Sequence, residues 1–152
     1  MSAVSHRLLL AALAIGLMAA ADIDPKTVIT ERQATMKGFA EKTKAIKAYA
    51  DGGDDQTGAL EAAEAIRDTA PRIPSFFPAG TGPEAGVPTH AKLEIWADHD
   101  KFEGTAQRLA GQAQSLVAAI QSGDRAAVKD GLGAVGRVGC GACHDTFRMP
   151  LN

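Results

Sequence analysis

Aromatic side chains are scarce in this 152-residue chain: five Phe, one Trp and one Tyr, about 5% in all. β-branched residues are thinly spread, whereas Ala and Gly are abundant, and this balance disfavours a sheet and favours helices. Charge of either sign is also nearly absent in the net, which is −2. There is accordingly no basic footprint for nucleic acid and no acidic tail. Cysteine occurs only twice, and neither an internal repeat nor a low-complexity tract is found. The one long apolar run, Leu8–Ala20, is too short to span a bilayer comfortably.

That run follows a positive charge at Arg7 and ends in Ala19, Ala20 and Ala21, the pattern of a secretory signal cut between Ala21 and Asp22. Residues 1–21 are thus expected to be a signal peptide and 22–152 a single domain, located in the periplasm with no membrane span after cleavage. Loss of Arg7 takes the formal charge from −2 to −3.

Four helical segments are expected beyond the signal. The first opens with Asp24 as N-cap and Pro25 at the first helical position, and Asp51-Gly52-Gly53 stops it after Ala50. Its inward stripe is Ile29, Met36, Phe39, Thr43, Ile46 and Ala50. A second spans about Thr57–Ala70. Five prolines between Pro71 and Pro88 then exclude a regular helix, although Phe76 and Phe77 imply that this loop packs back on something apolar. The third runs from near Lys92 to about Gln121, burying Leu93, Trp96, Phe102, Ala106, Leu109, Ala113, Leu116, Val117 and Ile120. The fourth runs from about Arg125 to Arg148. Its glycines at 131, 133, 136, 139 and 141 each cost about 0.8–1 kcal/mol relative to Ala, a cost that a flat ligand lying against the backbone would offset. The expected fold is all-α: an antiparallel four-helix bundle whose core can house a cofactor.

Cys140-Gly141-Ala142-Cys143-His144 has the C-x-x-C-H form of covalent haem attachment. Two thiols three residues apart on a helical turn reach the two vinyl groups on one porphyrin edge. The next residue then projects its imidazole toward iron. A thioredoxin-type disulfide would want a βαβ context that is missing. A structural zinc site would need two more ligands, and only His90 and His99 remain, without paired spacing. The expected cofactor is one haem c on Cys140 and Cys143, with His144 as an axial ligand.

The chain resembles the class II c-type cytochromes, the family of cytochrome c′ and its low-spin relatives. The motif lies near the C-terminus, with only Asp145–Asn152 after it. The resemblance extends to Arg32-Gln33-Ala34-Thr35-Met36, Gly80-Thr81, Glu94-Ile95-Trp96 and Asp145-Thr146-Phe147-Arg148. It implies a four-helix bundle with haem near one end, and it places Arg32 and Gln33 near the haem propionates. It also implies a homodimer through the first two helices. The stretch between Thr81 and Glu94 is longer than in typical members.

Function turns on the sixth iron ligand. Met149, five residues after His144 on the same expected helix, lies on the proximal side. Met36 is the only methionine able to reach the distal face, and it matches the family position that either ligates iron or covers an open site. If Met36 ligates, the protein is a low-spin carrier that exchanges single electrons with periplasmic redox partner proteins. If it only covers the iron, the haem is five-coordinate and high-spin, and binds nitric oxide or carbon monoxide. The setting of Met36 favours ligation: it lies within a sequence like that of the Met-ligated relatives, and the loop carries paired Phe. No enzymatic activity is expected, because a peroxidase needs a distal acid–base group and His90 and His99 fall where exposure is expected. Arg148 is placed either to tune His144 or a propionate, or to face the helix dipole as a C-terminal cation. Lys37, Lys42, Lys44 and Lys47 read as a solvated face rather than a docking patch.

Overall fold

A computed structural model describes residues 24–150; the signal assigned to residues 1–21 lies outside them. Helix α1 (Pro25–Ala50) begins where expected, with the Asp24 carboxylate accepting from the Lys26 and Thr27 amides. Helix α2 (Gln56–Thr69) is capped by Asp55 through the Gly58 amide. A long connection leads to α3 (Glu94–Ala97) and α4 (His99–Ser122). Gly123, at φ 74°, ends α4 in the left-handed region, where a side chain would be strained. Asp124 then caps α5 (Arg125–Ala134), which continues through a π-helical segment, Val135–Gly141, into α6 (Ala142–Phe147).

The long helices close a ring: α1 packs on α2, α2 on α4, α4 on α5 and α5 on α1. Hydrogen bonds show which ends meet. Gln56 Nε2 donates to the Ile120 carbonyl (2.6 Å) and Arg125 Nη1 to that of Tyr49, so the turns α1–α2 and α4–α5 share one end. The opposite end gathers the start of α1, the long connection, the start of α4 and all of α6. The core between these ends is built from Ile46, Ile66, Leu116, Val117, Ile120 and Val128, each no more than 2% exposed.

Several expectations need correcting. The Pro71–Pro88 segment contains a 3₁₀-helix, Ala70–Phe76. Its i→i+3 pattern accommodates Pro71 at the second position and Pro74 one tight turn later, and Ile73 is buried within it. The third helix is broken at Asp98 (φ −127°, ψ 57°). Just before the break, the Trp96 indole N–H is held by the Phe77 and Pro78 carbonyls (2.9 and 3.2 Å). Leu93 was assigned to the buried stripe but is 59% exposed. On α1, the buried set includes Arg32 and Tyr49, whereas Met36 and Thr43 are only half-buried.

The last helix differs most. It does not run unbroken, since in the π segment the Ala142 amide bonds to Arg137 five residues back. Two of the glycines here serve helix packing. A Cβ on Gly139 would lie 2.6 Å from Leu109 Cδ1, and one on Gly131 would lie 3.2 Å from Leu116 Cδ1. These two positions let the last helix approach α4 closely, while a Cβ on Gly136 would meet open space. Helix α6 ends at Phe147, and Arg148 turns to extended backbone (φ −120°, ψ 135°). Met149 is therefore not on the helix that carries His144.

Candidate haem-binding site

The C-x-x-C-H residues straddle the junction of the π segment and α6. Cys140 is its penultimate residue, and Cys143 and His144 lie in the first turn of α6. π-helical turns inside α-helices are frequent at functional sites because they re-aim side chains. Both thiols are free and half-buried against the core. Burial raises the pKa of Cys140, and burial together with the neighbouring Cys140 pushes Cys143 up to about 11, against a lowering by Arg108. Neutral thiols of this kind are not the activated thiolates of a redox disulfide centre. Among the described residues, no three His, Cys, Asp or Glu side chains are grouped to hold a metal ion.

His144 is half-buried. Burial first, and the charge of Arg148 second, hold its pKa below the ordinary value, against an opposing effect of Asp145. A neutral imidazole keeps a lone pair for a metal. His144 opens on a cleft of about 310 Å³ lined also by Lys92, Asp145, Arg148, Met149 and Pro150. Met149 thus sits on the same side as His144, although an extended segment rather than the helix carries it there. That segment is clamped: the Met149 amide donates to the His90 carbonyl (2.7 Å) and the Lys92 amide to that of Phe147 (3.0 Å). Lys92 Nζ also caps α6 by donating to the Asp145 and Thr146 carbonyls (3.2 and 3.3 Å). Cations favour helix C-termini for the same electrostatic reason.

Arg32 is 4% exposed. Its Nη1 donates to Thr81 Oγ1 (3.0 Å), and its Nη2 donates to the Thr81 carbonyl (2.8 Å) and Thr89 Oγ1 (2.9 Å). The guanidinium also lies 4.5 Å from the centre of the Phe77 ring. None of these partners is an anion; burial pushes the Arg32 pKa down, against an opposing effect of the Glu84 charge. A buried cation without a bonded carboxylate is costly, and three of its five N–H donors are engaged. It therefore suits an acidic group brought by a cofactor. Gln33 is exposed and its amide reaches the Pro88 carbonyl (3.3 Å). Met36, one turn beyond Arg32 on α1, packs against the core cluster.

An aromatic chain links this corner to α6. Phe77 meets Trp96 (6.2 Å) and Phe102 (5.1 Å) edge-on, and Phe102 meets Phe147 (5.0 Å), one turn past His144. Sequence reasoning assigned no role to Thr81, Thr89 or Lys92. Only Gly80-Thr81 was marked, as part of the resemblance. His90 and His99 are exposed, as expected. Of the four α1 lysines, Lys44 pairs with Glu41 and Lys47 with Asp51 at the surface, which fits a solvated face.

A helical bundle carrying C-x-x-C-H on its last helix, with a buried Arg near the same end, is the framework of a class II c-type cytochrome. The Cytochrome C′ family profile matches residues 27–148, and the chain belongs to that family of electron-carrying haem proteins. Cytochrome c′ of Pararhodospirillum photometricum is 33% identical over 126 residues, covering 82% of this chain and 98% of that one. The crystal structure of cytochrome c′ from Thermochromatium tepidum superposes with a TM-score of 0.75 at 30% identity, covering 86% of this chain and all of that one. A further solved cytochrome c′, described by its ligand-controlled dimer dissociation, matches with a TM-score of 0.75 at 26% identity over the same shares of the two chains. The family binds one covalent haem c through two cysteines, and Cys140 and Cys143 are the only two here. These relatives favour the second of the two readings of Met36, an open iron, over the His/Met ligation that its sequence setting had favoured.

Proposed function

We propose that this protein is a periplasmic haem protein in which His144 would be the one protein ligand to the iron, with Met36 covering an open distal face where nitric oxide or carbon monoxide would bind. Cys140 and Cys143 hold the haem, and Arg32, with Gln33 nearby, faces its propionates. When bound, the haem supplies one-electron chemistry and an open metal position. The chain's residues anchor it, keep His144 neutral, and exclude water from the distal side. The observation that carries the reading is the match to cytochromes c′ over nearly the full length of the relative. The packing of Met36 against the apolar core, rather than away from it, agrees with a cover.

The optical spectrum tests this directly. The ferric protein is expected to be high-spin, and the ferrous protein to bind carbon monoxide without first losing a ligand. A charge-transfer band that disappears in Met36→Ala would establish His/Met ligation instead. Export to the periplasm rests on the leader at residues 1–21, and no helix among the described residues is long and apolar enough to cross a membrane.

A homodimer through α1 and α2 is part of the same proposal, in keeping with the dimeric relative. Sedimentation velocity is expected to give about twice the mass of the mature chain; a single monomeric species at micromolar concentration would remove it.

A further inference from the structure

The long connection is not draped loosely over the bundle. Its two limbs, at Thr81 and Thr89, converge on one guanidinium, that of Arg32. Thr81 is fully buried, and its hydroxyl also donates to the Pro78 carbonyl (2.8 Å), which ties the turn before it. Thr89 Oγ1 additionally accepts from the Ala91 amide (3.2 Å). From below, the Phe77 ring supports the guanidinium. Residues 83–88 between these limbs are mostly exposed, and their backbone hydrogen bonds are those of a local turn (the Ala85 amide to the Gly82 carbonyl, the Gly86 amide to that of Pro83) and one that Pro88 accepts from the Gln33 side chain. Such a segment opens readily unless its ends are fastened. The fastening point is the α1 turn immediately before Met36, since residues four apart share one helical face.

We propose that Arg32 is a positioning residue for the distal side: with Thr81 and Thr89 it latches the 78–89 loop against the α1 turn that carries Met36, and so limits the entry of small ligands. This rests on the proposed distal placement of Met36. It is distinct from any contact between Arg32 and the haem, because the latch is made by two threonine hydroxyls that a cofactor carboxylate does not need. The latch also reaches the other side of the site, through Phe77, Phe102 and Phe147.

The test uses the haem-loaded protein in a Met36→Ala background, where the distal face is open whether or not Met36 ligates. In that background Thr81→Val with Thr89→Val removes the hydroxyl acceptors and retains Arg32. Carbon monoxide association after flash photolysis is expected to accelerate about tenfold, since a hydrogen bond to a charged group shifts an opening equilibrium by roughly that factor. Hydrogen exchange of the amides at 82–88 is expected to quicken in parallel. Serine at both positions keeps the hydroxyls and is expected to restore slow association. Unchanged association in the valine pair, whether or not exchange quickens, would overturn the latch. Acceleration confined to Arg32→Gln, with the valine pair unchanged, would assign the effect to the haem contact and overturn the latch as well. Failure of the wild-type ferrous protein to bind carbon monoxide would count against the open-iron reading only, since the Met36→Ala comparison does not depend on it.

Discussion

The protein with both Cys140→Ser and Cys143→Ser is expected to carry no covalent pigment. Its colour, if any, should pass entirely into acidified acetone, whereas the wild-type colour stays with the protein. The reason lies in the placement of the two thiols. They sit one turn apart at the junction of the π segment and α6, half-buried against the core, where serine keeps the size but lacks the sulfur that bonds the vinyl carbon. His144 remains next to them, but a single imidazole is a reversible attachment. Each single variant keeps one sulfur and is expected to retain pigment with an altered haemochrome spectrum. Retention of extraction-resistant colour in the double variant would refute the assignment of the attachment site.

Phe102→Ala is expected to cost about 3–5 kcal/mol of stability, the usual range for removing a buried aromatic ring. Phe102 is 2% exposed and stands between Phe77 on the long connection and Phe147 on α6. Its loss leaves a cavity and removes two edge-to-face contacts, each worth about 0.5–1.5 kcal/mol beyond burial. The site end of the bundle should loosen before the opposite end, which rests on Ile46, Leu116 and Ile120. Urea titration of the haem-loaded protein gives the magnitude. Phe102→Leu, which fills most of the volume, should cost under about 1.5 kcal/mol. A cost below 1 kcal/mol for the alanine variant would mean that the ring is not a keystone of this corner.

Much of this architecture could be read along the chain because local rules govern it. The cap at Asp24 with Pro25, the stop after Ala50 and the recapping at Asp124 are decided by hydrogen bonds within three or four residues. C-x-x-C-H is equally local, since its chemistry needs only the spacing of one helical turn. Arg32 was found through resemblance, but its burial was not. A cation on a helix ordinarily reads as solvated, and nothing nearby in sequence announces that Thr81 and Thr89, 49 and 57 residues away, will receive it. The glycines of the last helix were only partly legible for a related reason. Their density signalled a close approach, but whether a ligand or a helix approaches depends on what lies opposite, and at Gly139 that is Leu109. Leu93 was misplaced because the break at Asp98 changes the phase of the helical stripe before it.

The sequence by itself determined the helical class, the helix boundaries set by caps, and the pair of thiols with the adjacent imidazole that makes this a covalent haem protein. Those features depend on neighbours within one or two turns, so they survive translation into a string of letters. Only the tertiary structure decided that the long connection is fastened to α1 through Arg32, that the chain after Phe147 is clamped at His90–Lys92, and that the last helix approaches α4 through Gly131 and Gly139. Each of these joins residues far apart along the chain, and their meeting is decided by how the whole core packs.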